Sequence, residues 1–220
     1  MKTIRLFITL ILILICTAQS ADANAFGEKP RVIVLTDIEN EPDDAESLVR
    51  FLTYCNQFEV EGIIATTSVW LRDKTAEWRI HEILGAYGEV QPNLLKHEEG
   101  YPSVEELMAR TKVGLPKYGM NGVGEGQDSE GSDWIINSLK KDDPRPLWVL
   151  AWGGPNCLAQ ALWKLEQSET PEKLAKYVEK LRVYTISDQD DSGPWMRRKY
   201  PDLFYICPPG YGHGGREGYH

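Results

Sequence analysis

Five acids crowd into the stretch Asp37-Ile38-Glu39-Asn40-Glu41-Pro42-Asp43-Asp44, directly behind the apolar run Val32-Ile33-Val34-Leu35. A continuous β-branched run reads as a strand buried on both faces of a parallel sheet. A helix is expected to begin near Ala45, so Asp37, Glu39, Glu41, Asp43 and Asp44 fall at the carboxyl end of that strand. Open α/β folds bind ligands there. Like charges at this density repel one another unless a cation sits among them, and a hard, oxygen-seeking ion such as Ca²⁺ or Mg²⁺ suits carboxylate ligands. Helix-dipole stabilisation and N-capping account for Asp43 and Asp44 but leave Asp37 and Glu39 unexplained. An EF-hand does not fit either. With Asp37, Glu39 and Glu41 as its first, third and fifth positions, Pro42 falls where glycine is needed and Leu48 where glutamate is needed.

Two further motifs follow predicted strands. Trp152-Gly153-Gly154-Pro155-Asn156 joins a buried strand to a helix, and a backbone carbonyl there is an uncharged candidate ligand for the same cation; a plain glycine turn fits it equally well. Ser187-Asp188-Gln189-Asp190-Asp191-Ser192-Gly193-Pro194-Trp195 brings more acids to another carboxyl edge. Asp190 and Asp191 as acceptors of hydroxyl hydrogens, with the flat face of Trp195, would suit a sugar. Helix capping ahead of Pro194 is the competing reading. The glycine-rich stretch 118–131 lacks the Lys-Ser/Thr of a phosphate-binding loop. His81 is expected on a helix and His97 in a loop, neither with a chemical role, while His213 and His220 fall in a glycine-rich tail.

The elements that must position these groups alternate. Strands are expected at Val32–Leu35, Val60–Thr67, Leu147–Trp152, Val183–Ser187 and Leu203–Cys207. Helices are expected at Ala45–Tyr54, Thr75–Tyr87, Val104–Ala109, from a Ser132 cap to about Lys140, at Asn156–Glu166 and at Pro171–Leu181. That order specifies an α/β fold with a mostly parallel, Rossmann-like sheet and right-handed crossovers. Lys2 and Arg5 precede an apolar run from Leu6 to Ile15 and small-residue cleavage sites ending at Ala25, the pattern of a secretory signal peptide. Residues 1–25 are therefore expected to be removed, leaving 26–220 as one domain, secreted or periplasmic and with no membrane attachment. Cys16 lacks the small preceding residue of a lipoprotein site. The chain of 220 residues has a formal net charge of −9, which argues against nucleic acid as a partner. Cys55, Cys157 and Cys207 have neither disulfide-framework nor zinc spacing and read as buried thiols. Oligomeric state is not legible.

The pattern Asp37-x-Glu39-x-x-x-Asp43-Asp44-Ala45 resembles the Asp-x-Asp-Pro-Gly-x-Asp-Asp-Ala signature of nucleoside hydrolases. Thr-Asp-Ile-Glu-Asn-Glu-Pro-Asp-Asp and Ile-Ser-Asp-Gln-Asp-Asp-Ser-Gly-Pro-Trp resemble more closely a secreted bacterial nucleoside-hydrolase-like branch labelled cellulose-binding. That resemblance implies a Ca²⁺-dependent N-glycosidase on a Rossmann-like sheet. By position, Glu39 matches the family aspartate that binds Ca²⁺ and takes a proton from water. Asp44 matches the bidentate calcium ligand, with Asp37 and Asp43 in support, and Trp152 contributes its carbonyl. Sugar, nucleoside-like compound or polysaccharide is the implied partner; a silent calcium-containing carbohydrate-binding domain is the alternative. Departures are specific. Glu39 is a methylene longer than aspartate, Asn40-Glu41 replaces Pro-Gly, Ser68 or Val69 stands at a ribose-binding asparagine, and Tyr118-Gly119 replaces His-Gly. The family's last calcium aspartate and its leaving-group acid have no match before residue 220, so the sequence is expected to stop inside a longer domain.

Overall fold

The computed structural model describes residues 28–208. The expected signal peptide, His213 and His220 lie outside the described residues. Six strands form one parallel sheet: β1 (Arg31–Thr36), β2 (Glu59–Ala65), β3 (Thr111–Val113), β4 (Leu147–Ala151), β5 (Leu181–Thr185) and β6 (Phe204–Ile206), in the spatial order β3-β2-β1-β4-β5-β6. The direction of strand addition reverses between β1 and β4, which pair from Arg31↔Leu147 to Leu35↔Ala151. Neighbouring connections diverge at such a reversal and leave a crevice beyond the strand ends.

Seven α-helices accompany the sheet among the described residues: α1 (Pro42–Leu52), α2 (Glu77–Leu94), α3 (Val104–Arg110), α4 (Glu130–Lys140), α5 (Asn156–Ser168), α6 (Pro171–Lys180) and α7 (Ser192–Lys199). Successive strand side chains point to opposite faces, and two cores result. Ile33, Leu35, Leu147, Val149, Leu181 and Val183 pack with residues of α4, α5, α6 and α7. On the opposite face, Leu48 and Leu52 of α1, Ile80 and Leu84 of α2 and Leu107 of α3 close over Val60 and Ile63. That opposite face loses its helical cover toward β6. Tyr184, Ile186, Phe204 and Ile206 are exposed there, and Trp148 meets Phe204 edge to face at 6.0 Å.

Apolar runs in the sequence locate five of the six strands and miss β3. β3 (Thr-Lys-Val) carries a single apolar residue, whereas β6, equally short, is apolar throughout, and α7 starts at Ser192, where the helix-capping reading of the acid-rich motif expects a helix. The cap of α4 also differs from expectation. Ser129 is the N-cap, and Ser132 is the buried third helical residue that returns its hydroxyl to the Ser129 backbone. Both serines fit a reciprocal cap, and the helix starts at the earlier one. α2 runs on to Leu94, seven residues beyond expectation, carrying Pro92 in its last turn. The three cysteines are free thiols; Cys55 and Cys157 are buried, whereas Cys207 is only half-buried, near the edge strand. Among the described residues, no helix is long and apolar enough to cross a membrane.

Candidate functional site

β1 ends at Thr36, and the chain turns through Asp37 and Glu39 into α1, whose first turn carries Asp43 and Asp44. The turn closes with the Asn40 amide donating to the Asp37 carbonyl at 3.2 Å. Thr36 works on both sides of it: its hydroxyl oxygen accepts from the Ile38 amide at 3.2 Å and its proton goes to Asp44 Oδ2. Asp37 and Asp44 are only 4% and 7% exposed. Gly153, just past β4, lies against this turn; a Cβ there would stand 2.7 to 2.9 Å from Asp37 N, Oδ1 and Cβ. Glycine is what lets the β1 and β4 turns meet.

The two carboxyls face each other, and among the described residues no cationic side chain pairs with either. Burial pushes Asp37 above the ordinary carboxylate range, opposed by hydrogen bonds involving Ser68 and Asp44. Burial also raises Asp44 to about 7, against the Thr36 hydrogen bond and with the Asp37 charge adding to the rise. Asp37 Oδ2 is buried without a hydrogen-bond partner. An orphaned carboxylate oxygen beside a second buried carboxylate fits a hard cation, which would supply the missing charge. Asp37 and Asp44 are the two side chains here that would hold one.

The other expected ligands are engaged elsewhere. Glu39, at φ +77°, directs Oε1 to Arg79 Nε at 2.9 Å. The Trp152 carbonyl accepts from Gln189 Nε2 at 2.6 Å. Asp43 is exposed at the start of α1, on the rim of an open cavity of about 620 Å³ that Asp44, Arg50, Phe51, Trp152 and Ile186 also line. Among the described residues, no three acidic, histidine or cysteine side chains enclose a metal position.

The 187–195 segment braces the site from behind. Asp188, whose side chain is only 3% exposed, forms a two-pronged ion pair with Arg197 at 2.7 and 2.6 Å. The Gln189 carbonyl accepts from the Val69 amide at 2.7 Å, so one residue ties the loop after β2 to the turn after β4. Asp190 Oδ1 takes the amide and hydroxyl of Ser192 at 2.8 and 2.5 Å, while burial pushes this acid up to about 7 and Oδ2 has no partner. Asp191 accepts from the Met120 amide at 2.8 Å, and a Cβ on Gly119 would collide with it. Trp195 packs against the core, edge-on to Tyr200 at 5.8 Å. Interior contacts thus occupy Asp190 and Trp195, which the sequence assigns to a sugar. Asp191 is exposed yet engaged with the glycine-rich loop.

Comparison with known proteins identifies the family and the fold. A family model described as "Cellulose-binding Sde182, nucleoside hydrolase-like domain" matches residues 31–219. The chain belongs to this family. A solved structure, described as a nucleoside hydrolase-related hypothetical protein from Saccharophagus degradans that is associated with carbohydrate metabolism, superposes with a TM-score of 0.81 at 41% identity. The match covers 86% of this chain and 46% of that one, so the chain spans less than half of that relative's length. No curated protein matches.

In this nucleoside hydrolase-like domain the structure joins Asp37, Asp44 and Ser68 directly, with Glu39 and the Trp152 backbone alongside. Thr36, Arg79 and Gln189 go unnoticed in the sequence. Gln189 stands inside the quoted motif, where its neighbouring acids draw the eye. Arg79 sits forty residues from Glu39, and nothing local links them.

Proposed function

We propose that the crevice between β1 and β4 is a calcium-dependent glycosidase site that hydrolyses an N-glycosidic, nucleoside-like bond in an exported protein. The observation that carries this reading is the buried Asp37–Asp44 pair, which has no cationic partner among the described residues and sits where the strand order reverses. Asp37 and Asp44 would hold Ca²⁺ and Asp43 would add negative charge at the rim. When bound, the ion supplies an acidified water. Glu39, once its carboxylate leaves Arg79, would be the acceptor for that water's proton, and the surrounding negative charge would steady an oxocarbenium-like sugar while the departing base takes its proton from solvent. Ser68, expected from the sequence to meet the substrate, is fully buried and its hydroxyl oxygen takes the Trp70 and Leu71 amides, so it would shape the loop rather than touch a sugar. The left-handed backbone at Glu39 supports a functional role, since strain of about 1–3 kcal/mol at a non-glycine residue persists where surrounding structure enforces it.

A second reading is favoured by the Glu39–Arg79 ion pair and by the cellulose-binding description of the family: a carbohydrate-binding domain without turnover. Titration calorimetry with Ca²⁺, combined with assays for released base and reducing sugar, separates the two. The glycosidase reading expects calcium binding, turnover, and loss of turnover in Asp44→Ala and Glu39→Gln. Calcium-dependent retention on polysaccharide with no released product would leave only the second.

A further inference from the structure

Beside the carboxylate pair, the open cavity of about 620 Å³ lies between α1 and the flank of the sheet that no helix covers. Asp43, Ser47 and Arg50 stand four and three residues apart on α1, so they share one face of the helix with Phe51. Trp152 and Ile186, just past β4 and β5, form the wall opposite. The lining between them is aromatic. Phe51 stacks on Phe58 with ring centroids 5.6 Å apart and meets Trp152 edge to face at 6.1 Å. All three rings are only half-buried, although they pack on the core beneath α1. Small-molecule sites have this make-up, a concave apolar lining with a few polar groups placed around it.

The charged groups of the cavity sit at opposite ends. Asp43 and Asp44 begin α1, and Arg50 is in its last turn, about 9 Å further along the axis at roughly 1.5 Å per residue. Arg50 is exposed, and among the described residues no carboxylate pairs with it. A cation suits the end of a helix. In a chain with 33 acids against 24 lysines and arginines, however, one left unpaired beside bare aromatic rings is set for an anion from outside. We propose that this cavity binds a hydroxylated aromatic carboxylic acid, with its carboxylate on the Arg50 guanidinium, its ring against Phe51 and Trp152, and its hydroxyl donating to Asp43. A carboxylate matches the guanidinium fork through two parallel hydrogen bonds, and the half-buried rings shield the apolar middle of the ligand from water. A nucleoside monophosphate also joins a ring to an anion, but it brings a doubly charged phosphate to a single arginine with two acids on the same helix. The site needs neither calcium nor turnover, so it stands apart from the glycosidase reading.

The test is calorimetric titration of the purified chain, in EDTA, with 4-hydroxycinnamate, whose polar ends are held apart by a ring and a short rigid arm. Binding is expected with a Kd on the order of 100 µM, as for a well-fitted ligand of that size. The uncharged 4-hydroxycinnamyl alcohol and adenosine monophosphate should each bind at least tenfold more weakly. Arg50→Gln should weaken the acid at least tenfold and leave the alcohol unchanged, and Arg50→Lys should restore part of the loss. Ile186→Glu, which sets an acid against the ring, should abolish binding. Arg50 and Ile186 are both exposed, so these variants should melt within a few degrees of the parent. A parent chain that does not bind 4-hydroxycinnamate, or binds it no better than the alcohol or the nucleotide, overturns the site, as does an Arg50→Gln variant that binds like the parent. Calcium binding with turnover would then leave the glycosidase reading intact. Arg50-dependent binding with no calcium binding and no turnover removes that reading and leaves the aromatic-acid site standing.

Discussion

Both edges of this sheet bury carboxylates, and they treat them in opposite ways. At the amino edge, Glu61 meets the fully buried Arg31 at 2.5 Å and Lys141 at 2.8 Å. Arg31 also donates to the Ser138 carbonyl at 2.7 Å. Burial alone would raise the Glu61 carboxyl, yet hydrogen bonds from Arg31 and Lys141 hold it below its ordinary value. A register shift against β1 makes Glu61 the extra residue between Val60 and Gly62, and this bulge re-aims its side chain. At the carboxyl edge, Asp37 and Asp44 have each other and no cation, and both are raised. A charge that the fold itself neutralises serves the fold. An uncompensated pair is what the calcium site proposed above requires.

The contrast breaks most sharply at Glu61. Glu61→Ala leaves Arg31 buried with its main counter-charge removed and should cost about 3–5 kcal/mol, read from urea unfolding. Calcium binding by the surviving folded protein should not change. Asp190 offers a pH test. Its folded pKa of about 7 lies above the ordinary 3.8, so the folded state holds the proton more tightly than the unfolded chain. Its stabilising contribution is therefore full below about pH 4 and lost as pH rises through about 7, on the order of 2–4 kcal/mol. Asp190→Asn should flatten that slope in melts taken across this range.

At the other edge the sign reverses. Without added metal, Asp44→Asn relieves a repulsive pair and should raise stability by about 1–2 kcal/mol near pH 8, where both acids would otherwise be charged. It should lower calcium affinity at least a hundredfold by calorimetry, since a charged ligand is lost. A destabilised variant would mean that Asp44 is structural after all. The smallest effect belongs to Glu39→Gly. Glycine adopts φ +77° freely, so relief of strain less a surface ion pair should give a gain of about 0.5–1 kcal/mol.

How much of this was legible beforehand follows from the range of each interaction. The order of strands and helices is local, and apolar runs such as Val32–Leu35 reveal it directly. The Asp37–Asp44 pairing is also local, seven residues across one turn. The Glu39–Arg79 and Gln189–Trp152 contacts depend on how separate loops fall against one another at the strand ends, and spacing carries no record of that. The same holds for the Asp188–Asp191 motif. Its composition matches a sugar site, but three of its acids face protein groups: Arg197, Ser192 and the Met120 amide. Position relative to the strand ends was readable; which way each side chain turns was not.

The helix-free flank of β4, β5 and β6 has a thermodynamic meaning of its own. Trp148 and Phe204 touch there while Tyr184 and Ile206 remain wet, in a kind of sheet that ordinarily keeps both sides dry. Each 100 Å² of that hydrocarbon shielded from water is worth roughly 2.5 kcal/mol. The melting point of residues 28–208 by themselves is thus a floor, and any molecule that settles on the flank raises it.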